Sequence, residues 1–229
     1  MMNQASDTLV ARLWRLSVAD VADEFDKRAL VPPVLAKELC AIGRAQKFAG
    51  IAFCIEGRKL NAAGRLAMPT GRDPLYDSLD DRVPAGAVLL YATGSYDDAA
   101  VLGGGLALSL QRRGVSGVIV DGMVRDGEEI AQCALPVLAR GSHALRFVGR
   151  FAMTAIDAPI DLRGVGGMVT ANTGDLVLAD HDGAIVIPAA IAADIVAGAE
   201  QVAALNEKVT TSVLAGMSRA EAARVHGKR

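Results

Sequence analysis

Residues 103–130, GGGLALSLQRRGVSGVIVDGMVRDGEEI, gather three kinds of group that can act together on a small acid. Gly103, Gly104 and Gly105 stand at the front of an apolar-periodic segment. Bare backbone N–H groups at such a helix start attract anions. Arg125 brings a guanidinium, which grips a carboxylate through two parallel bonds. Asp126 follows it with a carboxylate, the natural ligand of a hard divalent cation. Combined, these groups describe a pocket for a small oxo-acid and a metal ion.

Each piece alone is weak. Glycines at a helix start often serve only close packing, and an Arg–Asp pair in a turn can be a surface ion pair worth little. The pair follows an apolar run at residues 118–120 and then Asp121 and Gly122, where ligand groups project from an α/β sheet. A helix and a returning strand of similar length would bring it back beside the glycines. No P-loop lysine follows the glycines and GxGxxG is not completed, so ATP and dinucleotides are not indicated. His143, His181 and His226 lack metal-ligand spacing, and no Ser–His–Asp or Cys–His order is present. None of Lys27, Lys37, Lys47, Lys59 and Lys208 sits at an apolar strand end suited to a Schiff base. Metal-assisted chemistry is what remains.

The elements that must position these groups alternate between strand and helix. Residues 6–16 read as a short helix that docks Trp14 and Leu16 on a core. Ser17 is an N-cap for a helix over residues 18–28, with Asp20 and Asp23 in its first turn. Pro32 and Pro33 force an extended segment. Residues 43–53 enter a sheet, residues 58–71 read as loop, and residues 75–83 form a short helix. Residues 87–91 (AVLLY) are a buried strand, and residues 99–113 have helical spacing that Gly114 ends. Further strands fall at residues 118–120 and 136–139. Residues 174–178 and 184–188 form a hairpin turned by Asp182 and Gly183. The Ala-rich residues 189–208 are helical, with a second short helix after Ser218. This alternation predicts a mixed α/β layered domain.

The bulk properties narrow the function classes. A chain of 229 residues is the natural size of one large domain with terminal extensions. A net charge of −2 with scattered Lys and Arg argues against a nucleic-acid surface. Cys40, Cys54 and Cys133 have no CxxC spacing and apolar neighbours, so buried, reduced thiols are expected. The first residues carry no secretory pattern, and the apolar runs are too short to span a bilayer. A cytoplasmic protein without membrane or nucleic-acid partners is the expectation.

The ordered motifs resemble a known family. Gly103 to Leu106 form G-x-x-L; GVSGVIVDGMVRD follows at residues 114–126, PVLARG at 136–141 and GDLVLADHDGAIVIP at 174–188. This set resembles the RraA-like family, which joins regulators of ribonuclease activity with class II 4-hydroxy-4-methyl-2-oxoglutarate aldolases. The resemblance spans about residues 17–215. It implies an α/β fold of the swivelling β/β/α type, one RraA-like domain over residues 1–229 with helical extensions, and a homotrimer or homohexamer. It also implies a pyruvyl site made by Gly103, Gly104, Gly105, Leu106 and Arg125, with Arg125 catalytic and Asp126 binding Mg²⁺ or Mn²⁺. The implied activity is lyase chemistry on a small 2-oxo-acid: retro-aldol cleavage of a 4-hydroxy-2-oxo-diacid, or oxaloacetate decarboxylation, releasing pyruvate. The alternative is a non-catalytic regulator that binds an RNA-processing enzyme. The aldolases also carry an acid separated from the arginine by twenty positions, and here that position is Gly104. Asp97 and Asp98 are the nearest preceding acids.

Overall fold

Local chemistry sets the N-terminal helices of the computed structural model, which describes residues 4–43, 47–63 and 73–227. Helix α1 (Gln4–Leu13) buries Leu13. Leu16 docks behind it as expected, but Trp14 stays 49% exposed, its ring 5.8 Å from the Lys47 Nζ. Helix α2 (Val18–Lys27) begins at a reciprocal cap: Ser17 Oγ accepts from the Asp20 N–H at 3.0 Å and Asp20 Oδ2 accepts from the Ser17 N–H at 3.1 Å. Such a cap contributes about 1 kcal/mol.

Among the described residues, these strands and helices follow. They are β1 (Cys40–Ala41), β2 (Phe48–Lys59), α3 (Pro74–Asp77), α4 (Leu79–Arg82), β3 (Ala87–Leu102) and α5 (Gly104–Arg112). Next come β4 (Gly117–Val124), α6 (Gly127–Gln132), β5 (Val137–Ser142), β6 (Phe151–Ile156), β7 (Ile160–Gly164) and β8 (Gly167–Ala171). The chain closes with β9 (Leu176–Asp180), β10 (Gly183–Ile187), a 3₁₀ turn (Ala189–Ile191), α7 (Ala192–Leu214) and α8 (Arg219–His226). The main sheet runs β1-β5-β4-β3-β2-β9-β10. The β2–β3, β3–β4 and β4–β5 pairs are parallel, and the outer pairs are antiparallel. The long β2 serves three neighbours: β9 at Phe48–Ile51, β3 at Ile51–Glu56 and β6 at Ile55–Lys59.

Period-2 alternation in the central strands sends side chains to two buried faces. Leu89, Tyr91, Val118 and Val120 face Leu79, Ala107, Leu110 and Ile130 of helices α4, α5 and α6. Val88, Leu90 and Ile119 face Leu162 and Val169 of the separate β7–β8 hairpin. On the β9–β10 side, Leu178, Ile185 and Ile187 pack against Val21 and Phe25 of α2 and Ile195 and Val196 of α7. The result is a layered, mixed α/β fold.

Several expectations need correction. Residues 99–102 are strand, because Ala100 pairs with Met123 and Leu102 with Val124, and the helix begins only at Gly104. The strand expected at 87–91 therefore runs to Leu102, through a bulge where Gly94 (φ 66°) and Ser95 (φ 60°) are both left-handed. The short helix over 75–83 breaks at Ser78 into α3 and α4. Of the three thiols, Cys54 is buried, but Cys40 is exposed and Cys133 intermediate. The expected loop over 58–71 starts only after Lys59, and its residues 64–71 lie outside the described residues. Among the described residues no helix is long and apolar enough to cross a membrane.

Candidate functional site

The register of the parallel β3–β4 pair brings the glycine turn and the Arg–Asp pair together. Leu102 lies opposite Val124, and the Arg125 N–H donates to the Leu102 carbonyl at 2.9 Å. Both strands end there: one runs into α5 through Gly103 (φ −128°, ψ 175°), the other into Arg125 and Asp126. Asp126 is left-handed (φ 59°, ψ 44°), a strained conformation that costs an ordinary residue on the order of 1 kcal/mol and Asp less. It sits at the N-cap of α6 yet caps nothing there. Its side chain turns to α5, where Oδ2 accepts from the Gly104 N–H at 3.2 Å. Arg125 Nε donates to Oδ1 at 3.0 Å and to Oδ2 at 3.2 Å.

Gly103 permits this approach, since a Cβ there would stand 2.8 Å from Asp126 Oδ2 and 3.2 Å from Arg125 Cγ. Helix geometry leaves the N–H groups of Gly105 and Leu106 without an intrahelical acceptor. Among the described residues, neither terminal nitrogen of Arg125 has a hydrogen-bond partner, and its side chain is 37% exposed. The Gly104 N–H and Arg125 Nε thus hold the Asp126 carboxylate, and the terminal guanidinium nitrogens stay open beside it. The Leu106 side chain packs toward the core, so only its backbone faces this use.

A cleft of about 370 Å³ opens between α5 and α6, lined by Gly104, Gly105, Leu108 and Gln111 from one helix and Glu129, Gln132 and Cys133 beyond. Arg125 and Asp126 do not line it; Gly104 is the residue that both share. Glu129 went unnoticed in the sequence, where its spacing from the glycines matches no motif, and Cys133 figures there only as a buried, reduced thiol. Tyr76 of α3 lies close enough to feel the charges of Arg125 and Asp126. Burial pushes its hydroxyl up to about 12, so it stays a neutral donor at neutral pH.

Asp121 has a different task. It is buried, and its carboxylate accepts from the Ser95 N–H at 3.0 Å and the Ser95 hydroxyl at 3.2 Å, pinning the β3 bulge. Burial raises its pKa, and the Ser95 bonds pull it partway back. Asp98 pairs with Lys59, so it is engaged with β2. Glu200 is held by Arg12 through bonds of 2.8 and 2.7 Å. The three histidines stay separate: His143 Nδ1 accepts from the Leu145 N–H at 3.0 Å, His226 pairs with Ser212 at 2.8 Å, and His181 is exposed in the β9–β10 turn.

A mixed sheet thus lies layered between helices and a hairpin, with a glycine-opened helix against an Arg–Asp pair. The chain belongs to the RraA-like family, whose model, described as Aldolase/RraA, matches residues 18–186. A protein of Burkholderia mallei (strain SAVP1), provisionally named 4-hydroxy-4-methyl-2-oxoglutarate aldolase, is 32% identical over 144 residues, which are 63% of this chain and 77% of that protein. Two solved structures share the fold. An uncharacterized protein from Pseudomonas syringae pv. tomato superposes with a TM-score of 0.80 at 21% identity, over 94% of this chain and 96% of that one. RraAS2 of Streptomyces coelicolor, described as an unusual member of the RNase ES inhibitor RraA family, gives a TM-score of 0.76 at 24% identity, over 90% and 98%.

Proposed function

We propose that this chain is a divalent-metal lyase that releases pyruvate from a small 2-oxo-acid, by retro-aldol cleavage of a 4-hydroxy-2-oxo-diacid or by decarboxylation of oxaloacetate. The observation that carries this reading is the convergence of the Gly104 N–H, the Arg125 guanidinium and the left-handed Asp126 at one helix start. The terminal nitrogens of Arg125 bind the substrate carboxylate as a fork. The N–H groups of Gly105 and Leu106 face the oxygen on which charge grows when the C–C bond breaks. In the retro-aldol case the C4 hydroxyl gives its proton to water and becomes the carbonyl of the departing half; in decarboxylation CO₂ departs. In both, the C–C electron pair passes to C3 as the pyruvate enolate, and C3 then takes a proton from water.

The donor set fits Mg²⁺ or Mn²⁺. Among the described residues no three His, Cys, Asp or Glu side chains gather into an all-protein cage. Mg²⁺ keeps several waters and needs only one or two carboxylates, and Asp126, with a side chain 30% exposed, offers one. When bound, the ion supplies a Lewis acid beside the 2-oxo group.

The test is pyruvate release from 4-hydroxy-4-methyl-2-oxoglutarate and from oxaloacetate, with and without Mg²⁺ or Mn²⁺. Release should require the metal and be lost in Asp126→Asn, which keeps the left-handed tolerance and removes the charge. No release from either substrate would refute the enzyme. The absence of an acid at Gly104 favours a second reading, a regulator that binds an RNA-processing enzyme; capture of a purified ribonuclease by the protein would then be expected.

Assembly as a homotrimer or homohexamer is also proposed. Val31 (74% exposed), Val165 (70%) and Met168 (64%) stand out from the surface. A Cβ on Gly166 would touch Val31 at 3.0 Å, and Val165 donates to the Val34 carbonyl at 2.9 Å, so the two loops adjoin. Exposed apolar groups held together in this way mark a contact surface. Light scattering should find at least three subunits, and a monomer would refute it.

A further inference from the structure

Among the described residues, the Arg140 guanidinium finds no hydrogen-bond acceptor. Its side chain is only 21% exposed, and its Nε is wholly buried. Asp121, the carboxylate paired with it, stands 3.8 Å from Nη1 and already accepts from the Ser95 N–H and hydroxyl. A buried charged donor left without an acceptor is costly, so this position calls for one. A second guanidinium, that of Arg163 on β7, acts on the same carboxylate and has no hydrogen bond or ion pair with a described residue. Strand alternation explains the meeting. Asp121 and Arg140 lie two residues beyond Ile119 and Leu138, so they share the sheet face that the β7–β8 hairpin covers. The α5–α6 cleft lies on the other face. Both residues stand toward the carboxyl ends of β4 and β5, where α/β sheets bind ligands. Beside them the β3 bulge is open: a Cβ on Gly94 would meet nothing within 4 Å.

We propose that Arg140 and Arg163 bind the carboxylate group of a small organic acid, at a site separate from Arg125 and Asp126 and independent of the lyase reading. With Nη1 turned to Asp121, the Nε–Nη2 edge of Arg140 is the one left for a ligand, and it matches the two oxygens of a carboxylate. The charge count selects a monoanion. Two guanidiniums act on one carboxylate, which leaves one positive charge to balance. A dianion such as sulfate overshoots it, and Asp121 repels the excess. Arg140, the more buried of the two, fixes the orientation of the group, and the exposed Arg163 adds charge at the entrance.

The experiment follows the thermal midpoint against acetate, with chloride at matched ionic strength as the reference and Arg125→Ala as the background that removes the other guanidinium. A ligand that binds only the folded chain raises the midpoint along a saturation curve. Such a curve is expected in wild type and in Arg125→Ala, with sulfate giving a weaker one. Arg140→Lys keeps a charge without the fork and should weaken acetate by about 10-fold or more, the loss of one charge-assisted bond. Arg140→Met should abolish the curve, and Arg163→Gln should weaken it by a smaller factor. Circular dichroism and subunit number check the folding of each variant; if Arg140→Met does not fold, Arg140→Lys and Arg163→Gln carry the test. An acetate curve unchanged in both of these overturns the site. A curve lost in Arg125→Ala also overturns it, because the acid then sits beside Asp126, and the lyase reading stays intact. Sulfate binding more tightly than acetate overturns the charge count and with it the carboxylate. No acetate curve in wild type overturns the proposal outright; if Arg140→Met then breaks the assembly, the acceptor is a carboxylate of another copy.

Discussion

Arg125→Lys separates a substrate clamp from a surface ion pair. In the wild type, Nε is engaged with both oxygens of Asp126, at 3.0 and 3.2 Å, and the two terminal nitrogens remain open. A guanidinium can thus steady Asp126 and grip a carboxylate at once. An ammonium keeps the charge but is a single point, and it must choose between the two partners. The loss is about one charge-assisted hydrogen-bond contribution, roughly 1.5–3 kcal/mol. At 1.36 kcal/mol per tenfold, that lowers kcat/KM for pyruvate release by roughly 10- to 150-fold. If the clamp binds substrate and transition state equally, KM rises alone; if it also steadies the developing enolate, kcat falls too. The measurement is pyruvate formation under saturating Mg²⁺, with substrate varied over a wide range. Stability should hardly move, because both side chains are about one-third exposed, 37% and 30%, and such pairs contribute under about 1 kcal/mol. An unchanged kcat/KM in an active protein would make Arg125 structural and refute the site.

Other outcomes follow from packing and ionisation. Gly117→Ala places a Cβ 2.2 Å from the buried Phe48 ring, so it should destabilise by about 1–3 kcal/mol. An unshifted denaturation midpoint would contradict that packing. Asp121 holds its proton more tightly folded than unfolded, because burial raises its pKa. In a window just above the ordinary aspartate range the folded chain keeps this proton while the unfolded chain has lost it. Its contribution to stability therefore falls as pH rises through that window. Asp121→Asn should flatten that fall, and equal pH slopes in the two proteins would refute it. Burial pushes the Cys54 thiol up to about 12, so iodoacetamide should label the exposed Cys40 first and Cys54 only in denaturant. Cys133, in the cleft, should react more slowly when Mn²⁺ and oxalate are added; labelling unaffected by them would place the ligand elsewhere.

Local signals carried much of this protein into its sequence. Ser17 and Asp20 cap α2 through contacts three residues apart, and Ser218 accepts from the Glu221 N–H at 3.2 Å to start α8 in the same way. The hairpin was legible too, though its first strand lies two residues later and its second one residue earlier than expected, because His181 and Asp182 make the turn and Gly183 (φ 131°) opens β10. The meeting of the glycine turn with Arg125 and Asp126 could be foreseen, since one helix and its flanking strands decide it within some twenty residues. Tertiary structure decided what longer-range pairing controls. Residues 99–102 suit helix and strand alike, and only β4 alongside makes them strand. Strands β6 to β8 carry weak patterns that gain meaning from their partners, β2 for the first and each other for the remaining two. Asp121 looked like a ligand group and is instead buried under Ser95, a contact made across 26 residues. Glu129 carries no signal in the sequence. Its carboxylate comes to rest over Gly104 because α5 and α6 pack side by side, and no spacing along the chain records that two helix starts face one another.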